Sequence, residues 1–449
     1  MSSQSEIVKT IIMRTPLYNE LTATHASSLM AHNSLSAEAL ARSCLGRVAL
    51  REPTVGAWAT IDTEHVVSQA KTRDTESRRS PLHGIPVAIK DVLDTADLPT
   101  QMGSPIYAGH CPQADASVVA QLRAAGAVIM GKTVTAEFAG MAPSSTRNPH
   151  NPAHTPGGSS SGSGAAVADF MVPIAFGTQT GGSVQRPASY CGVFGFKPTY
   201  GRINRAGVKF AAESLDTIGW MARSLLDIAL VDAVLTDADT TPLQPMSPNR
   251  IGLCRTYLWE KAESATRDAI EEAVTKLRAA GIRVDEVGLP ADFNGLTEAR
   301  EIINDYERAR ALAYEWNIHR ELISPQLTRS ITRGYQIPHI RYVEACRYAE
   351  RVRIQFDQIA KDYDALLAPC VQGEAPKGLE YAGDPSFQSL WTLLHVPTIG
   401  LPTHRGLRGL PVSIQLVGAR YADSQLMRVA LAVWNELTVS DTLAISDQP

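Results

Sequence analysis

TPGGSSSGSGAAVADFMVPIAFGTQTGGSVQRPASYCGVFGFKPTYGR, residues 155–202, decides how the rest of the chain is read. Its opening run, GGSSSGSG (157–164), has the composition of a flexible linker. A linker joins polar surfaces, yet this run leads directly into AAVADFMVPIAFG, a helix-like turn followed by an apolar strand at 171–177. A second cluster of small residues, TQTGGS (178–183), follows at once. Two such clusters around a core segment mark places where backbone approaches something closely.

Outward from this stretch the chain alternates. PVAIK (86–90) reads as a buried strand, ASVVAQLRAAG (116–126) as a helix closed by Gly126, and AVIMG (127–131) as the next strand. Upstream, Ser36 caps a helical pattern that carries Glu38 in its first turn. Downstream, a helix is expected over 223–235, a strand at 251–255, a helix at 265–280 and a strand at 282–287. Residues 296–322 and 339–361 are long and amphipathic, a helical excursion from the sheet over about 296–361. Strands return at 364–369, 398–402 and 411–418, and a terminal helix spans 422–437. The pattern predicts an α/β fold: a single large domain whose mixed central sheet is covered by helices on both faces. Residues 1–33 form a weakly defined lead-in and 34–449 the domain, with its catalytic core over about 84–202.

The second cluster suits an oxyanion hole, because consecutive small residues let several N–H groups converge on one spot. A nucleophile placed there is Ser183. The phosphate-loop pattern G-x-x-x-x-G-K-[ST] is absent, and so is G-x-G-x-x-G in a strand-to-helix context. A serine nucleophile needs a base. No G-x-S-x-G elbow is present, and no histidine sits in a comparable cluster. Lys90 ends an apolar strand, where desolvation depresses an ammonium pKa. The competing reading is a lysine that snorkels to solvent. On these residues alone the snorkelling reading prevails.

The chain has 449 residues, is 44% hydrophobic and carries a net charge of −4, so neither a nucleic-acid nor a membrane partner is expected. The six cysteines lack metal or disulfide spacing and read as reduced packing residues. His150 and His154 lie among prolines and do not share a helix face. No metal or cofactor is expected. The N-terminus lacks a signal peptide and no run is long enough to span a bilayer, so the cytoplasm is the default location.

GIPVAIKD (84–91), the 155–168 block and GTQTGGSVQRPASYCGVFGFKPTYGR (177–202) closely resemble the amidase signature family. EFAGMAPSSTRNPHNP (137–152), YDALLAPC (363–370), FQSLWTLLHVPTIGLP (387–402) and GLPVSIQLVG (409–418) extend the resemblance over nearly the whole chain from about residue 34. It implies the amidase signature fold and a Ser–cis-Ser–Lys triad: Ser183 as nucleophile, Ser159 as the bridging serine and Lys90 as base. It implies that the backbone N–H groups of Thr180, Gly181, Gly182 and Ser183 hold the oxyanion. The implied reaction is amide hydrolysis through an acyl-enzyme, with esters and carbamates (urethanes) open to the same route.

Two departures refine the expectation. Amidotransferase A subunits and fatty-acid-amide hydrolases of the family usually read D-[TI]-G-G-S-I-R, whereas Gln179 and Gln185 stand here and the guanidinium moves to Arg186. GTQTGGSVxRPA resembles the branch of free-standing, malonamidase-like amidases, in which an arginine at the Arg186 position binds a substrate carboxylate. The alternative use of Arg186 is to brace its loop. Ser413 replaces the glycine of GLPVGVQ and is read as a packing change. Substrate contacts are expected from Arg186, Gln179, Met102 and Gly103, with the loop 138–141 and residues 393–395 nearby. The expected partner is a small-molecule amide, ester or carbamate, and a homodimer is left open. The competing assignment is the A subunit of a tRNA-dependent amidotransferase.

Overall fold

The strand at 86–90 forms where the sequence places it, as β2 (Pro86–Lys90), with every residue buried. The computed structural model describes residues 17–140 and 142–443. The other strands are β1 (Trp58–Thr60), β3 (Val128–Thr133), β4 (Ile174–Gln179), β5 (Phe194–Lys197), β6 (Thr217–Ala222), β7 (Arg250–Leu253), β8 (Arg283–Glu286), β9 (Ala365–Pro369), β10 (Thr398–Arg405) and β11 (Pro411–Val417). They make one sheet in the order β1-β3-β2-β4-β6-β5-β10-β11-β9-β7-β8. β2 runs parallel to both β3 and β4, β7 runs parallel to β8 and β9, and the remaining pairs are antiparallel. The protein is a single α/β domain with a large mixed sheet flanked by helices.

β2, β3 and β4 are buried along their full length, which is why they read as apolar runs rather than as alternating patterns. Because β2 and β4 are parallel neighbours, Lys90 and Gln179 finish at the same edge of the sheet. Ligands of open α/β sheets bind beyond such carboxyl ends.

The apparent linker is core. Ser161–Ala168 (SGSGAAVA) forms a helix whose residues 161–167 are all buried, packed on β2, β3 and β4. This composition has poor helix propensity, and packing overrides it. Small side chains are required by proximity: a Cβ on Gly162 would lie 2.1 Å from Ala57 O and 2.5 Å from Val134 N. The strand expected at 171–177 begins three residues later, after Pro173, which has no N–H to give to a ladder.

Of the lead-in, residues 1–16 lie outside the described residues. From residue 17 the chain is docked rather than loose. The helix Ala23–Ala31 aims its N-terminus at buried Asp227, which accepts from Ala23 N (3.1 Å) and Thr24 N (2.8 Å). Ser36 caps Ala37–Val55, accepting from Ala39 N at 3.1 Å. Between residues 296 and 360 the chain leaves the sheet as Leu296–Ala311, Ala313–Ile318, Pro325–Gln336 and His339–Ala360. Cys111 is exposed, which corrects its reading as a packing residue, whereas Cys44, Cys191, Cys254 and Cys370 are buried. Among the described residues, no helix is long and apolar enough to cross a membrane.

The close approach at Gly162 sets a stability prediction. Gly162→Ala pushes backbone against backbone and destabilises the fold by about 1–3 kcal/mol. Gly46→Ala, inside Ala37–Val55 with nothing within 4 Å of the added methyl, stabilises by about 0.5–1 kcal/mol. Urea unfolding of both variants measures the pair, and equal midpoints contradict this packing.

Candidate active site

Lys90 is the last residue of β2 and is fully buried. Its Nζ donates to Ser159 Oγ and to Thr178 Oγ1, each at 2.8 Å. Among the described residues no carboxylate lies within salt-bridge distance of it. Burial pulls its pKa down to about 7, and the more distant charge of Asp216 opposes only part of that shift. The amine can therefore be neutral near physiological pH, with its lone pair free for a hydroxyl proton.

Ser159 stands just before the helix Ser161–Ala168, and the Gly158–Ser159 peptide is cis. Its neighbour Ser160 ties the two small-residue clusters together. Ser160 N donates to Ser183 O (3.3 Å), while its Oγ bonds both the carbonyl and the N–H of Thr178 (3.3 Å each). Gly177 has to be glycine for this contact, since a Cβ there would meet Ser160 Oγ at 2.6 Å.

Ser183 ends the turn that follows β4. Its hydroxyl makes no hydrogen bond among the described residues, and it faces a cavity of ≈ 340 Å³. No direct bond joins the Ser183 and Ser159 hydroxyls. The backbone N–H groups of Thr180, Gly181, Gly182 and Ser183 likewise have no acceptor among the described residues. The turn is fixed from behind: Thr180 Oγ1 donates to Asp216, Thr392 Oγ1 donates to Gly181 O at 2.7 Å, and Arg186 N donates to Gly182 O at 2.9 Å. A free hydroxyl, four unsatisfied donors and a lysine–serine pair can together perform acyl transfer.

Several expected substrate contacts are placed elsewhere. Gln179 is fully buried beneath the turn: its Oε1 accepts from Val184 N and Gln185 N (3.0 Å each) and its Nε2 donates to Thr392 Oγ1 (3.1 Å). It holds the turn and does not line the cavity. Gln185 is also buried, donating to Gly195 O and to Thr398. Met102 packs with Phe138, Leu312 and Leu327 in a separate apolar cluster. Gly103 is pressed on the backbone, since a Cβ there would lie 2.7 Å from Thr135 O. Of the loop 138–141, Ala139 and Gly140 line the cavity, Phe138 is core and Met141 lies outside the described residues. Leu393 and Leu394 are core, and His395 is spent on Ser214 O and Arg353. Ser413 is buried in β11.

Arg186 lines the cavity, but its guanidinium is committed to backbone. Nε and Nη2 donate to Gly158 O (3.1 and 2.6 Å), and Nη1 donates to Gly383 O. This is the bracing use rather than the carboxylate-binding one: it grips the carbonyl preceding Ser159. The sequence reading missed Thr178, Ser160 and Asp216. It also missed the polar stripe Arg300, Asn304 and Arg308 across the cavity, although these residues recur every four positions on one helix. No group of three or more histidine, cysteine or acidic side chains among the described residues could hold a metal ion.

If Arg186 positions Ser159, Arg186→Lys loses the fork that holds Gly158 O. The expected result is a fall in kcat of about 10- to 100-fold on a neutral amide with KM little changed. A rise in KM confined to carboxylated substrates contradicts the bracing role.

With the geometry in view, similarity to known proteins becomes informative. Residues 39–427 match the family described as Amidase. The A subunit of the glutamyl-tRNA(Gln) amidotransferase from Symbiobacterium thermophilum is 34% identical over 467 aligned positions, covering 92% of this chain and 96% of that protein. A solved amidase structure superposes with a TM-score of 0.84 at 29% identity, covering 93% of this chain and 99% of its own. Native peptide amidase from Stenotrophomonas maltophilia gives 0.79 at 30% identity, covering 93% and 96%. On this breadth of agreement, the chain belongs to the amidase family.

Proposed function

We propose that this chain is a free-standing hydrolase of the C–N bond of small amides, working through an acyl-enzyme on Ser183. The observation that carries the reading is the buried Lys90–Ser159 pair beside the uncommitted Ser183 hydroxyl. Ser159 takes the proton of Ser183 and passes its own to the neutral amine of Lys90. Ser183 Oγ bonds the carbonyl carbon, and the oxyanion meets the N–H groups of residues 180–183. The tetrahedral species collapses as the C–N bond breaks, and the proton on Lys90 returns through Ser159 to the leaving amine. Water then attacks the acyl-enzyme by the same relay. The first transfer requires Ser183 to turn toward Ser159, and bound substrate tightens such contacts. Esters and carbamates fit the same steps. The chain's own residues supply every proton transfer, and the reading places the enzyme in the cytoplasm.

The Gln179 cap supports the free-standing branch, because the turn is organised without the Asp/Arg pair of the amidotransferase pattern, while the bracing of Arg186 departs from the carboxylate-binding use of that position in malonamidase-like members. The second reading is an amidotransferase A subunit, favoured by curated relatives of that name that align over 92% of this chain. It predicts that purified chain alone is inert and that turnover requires partner subunits and glutamine. Amide hydrolysis by the purified chain decides between them.

Two outcomes are expected of the purified protein. Ser183→Ala lowers amide turnover by at least about 10³-fold. The pH dependence follows from Lys90: its neutral form is the base and its pKa is lowered to about 7. kcat/KM is therefore low in acid, rises through pH about 7 and levels above it, and Lys90→Met removes activity along with that limb. A profile flat from acid to alkaline contradicts the lysine base.

A further inference from the structure

The last residue of β4 pairs with the first of β6, Gln179 with Thr217, so the next step along this antiparallel pair sets Thr180 opposite Asp216. Asp216 is buried, and its carboxylate is bonded by Thr180 Oγ1, Ala211 N (2.6 Å) and Ala212 N (3.1 Å). Among the described residues no cation lies within salt-bridge distance of it. The cations that act on it from farther away are Lys90 of β2 and Arg308 of the helix Leu296–Ala311. Arg205 reaches only the Asp216 carbonyl, at 3.2 Å. A buried carboxylate is costly unless its lone pairs are answered. Here the partners are donors, which hold the ionised form against the pull of burial toward the neutral one.

Thr178 and Thr180 lie two residues apart, which puts their side chains on one side of the end of β4, about 7 Å from each other. Lys90 Nζ bonds the first hydroxyl at 2.8 Å, and Asp216 holds the second. The carboxylate therefore stands near the amine without bonding it. At that range in a buried site a negative charge still acts on an ammonium. The same Thr180 contributes one of the four open N–H groups of the turn, so its hydroxyl bond to Asp216 fixes the direction of that donor.

We propose that Asp216 is a positioning residue for both halves of the reaction: through the Thr180 hydroxyl it holds the oxyanion turn, and its charge stabilises the ammonium that Lys90 becomes on taking the Ser159 proton. The proposal rests on the hydrolase reading above and deepens it. Asp216 itself neither gains nor loses a proton in this scheme.

Asp216→Asn keeps the shape and removes the charge. It should lower kcat on a neutral anilide by about 10- to 100-fold with KM within about twofold. It should also move the Lys90 midpoint, read from the lysine Cε resonance, downward by about 0.5–1.5 pH units, and the acid limb of kcat/KM with it, because an ammonium that loses a negative neighbour is less favoured. Asp216→Ser, which also removes the charge, repeats both readings should Asp216→Asn not fold. Thr180→Val keeps the N–H and loses the hydroxyl; it should lower kcat by a similar factor, and Thr180→Ser should restore most of the loss. Because the two residues act through one bond, the Thr180→Val/Asp216→Asn double variant should be about as slow as Asp216→Asn alone. Labelling of Ser183 by a fluorophosphonate, whose phosphoryl oxygen enters the same turn, reads the turn without amide turnover and should slow in both single variants. Slower labelling and a lowered Lys90 midpoint in an enzyme that cleaves no amide support the proposal's geometry and overturn only the hydrolase reading. Wild-type kcat and labelling in Thr180→Val, or an unmoved Lys90 midpoint in the folded charge-removed variant, overturns the proposal, and so does a lowered thermal midpoint as the sole effect.

Discussion

Removing the Lys90 amine from water, with only hydroxyl groups for company, is the constraint on which this site depends. Among the described residues three lysines are completely buried, at positions 90, 132 and 197, and their partners set them apart. Lys132, one strand away, faces Asp91 at 3.4 Å, Leu93 O and the Thr100 hydroxyl, and its pKa is lowered only to about 8. Lys197 is lowered to about 7, but it bonds the carbonyls of Pro198 and Val396, which have no proton to give. Lys90 faces Ser159 and Thr178, so its lone pair has an O–H proton within reach. Burial lowers the pKa and so makes the ammonium a stronger acid and the amine neutral, and at Lys90 burial against hydroxyls supplies the base that the proposed relay needs.

Everything around Lys90 serves to bring backbone near it. Two parallel strands deliver Lys90 and the turn after Gln179 to one edge, and the glycine-rich helix lets Ser159 and Ser160 sit against β4. Gly162, Gly177 and Gly182 are each too close to neighbours for a Cβ, which would meet Ala57 O, Ser160 Oγ and Gln388 Oε1 at 2.1, 2.6 and 2.3 Å. The polar groups of the turn that bind inward are satisfied by Gln179, Asp216, Thr392 and Arg186. The four N–H groups left without an acceptor belong to residues that line the cavity, which is what the proposed oxyanion site needs.

Local patterns carried much of this into the sequence. The strand at 86–90, the cap at Ser36 and the long helices near 300 and 350 follow from runs and periodicities that propensity and burial both favour. The helix at 161–168 was hidden because its residues are poor helix formers held by tertiary packing. Gln179, Met102 and Gly103 were misplaced for a related reason: adjacency to a motif in sequence does not say on which side of the backbone a side chain falls. Gln179 turns under the loop and Met102 joins the cluster around Phe138. Arg300 and Arg308 were legible only as one face of an amphipathic helix. Their meaning depends on contact with a turn more than a hundred residues earlier, which no local pattern encodes.

The proposed mechanism requires Lys90 to be a neutral amine at working pH, and its protonation can be read directly. In protein labelled with ¹³C-lysine, the Cε resonance of Lys90, assigned by its loss in Lys90→Met and so distinguished from Lys132 and Lys197, is followed through a pH titration. The predicted midpoint is near 7. A midpoint near the ordinary lysine value of about 10.4 would contradict it, because the side chain would then remain a cation and could take no proton from Ser159.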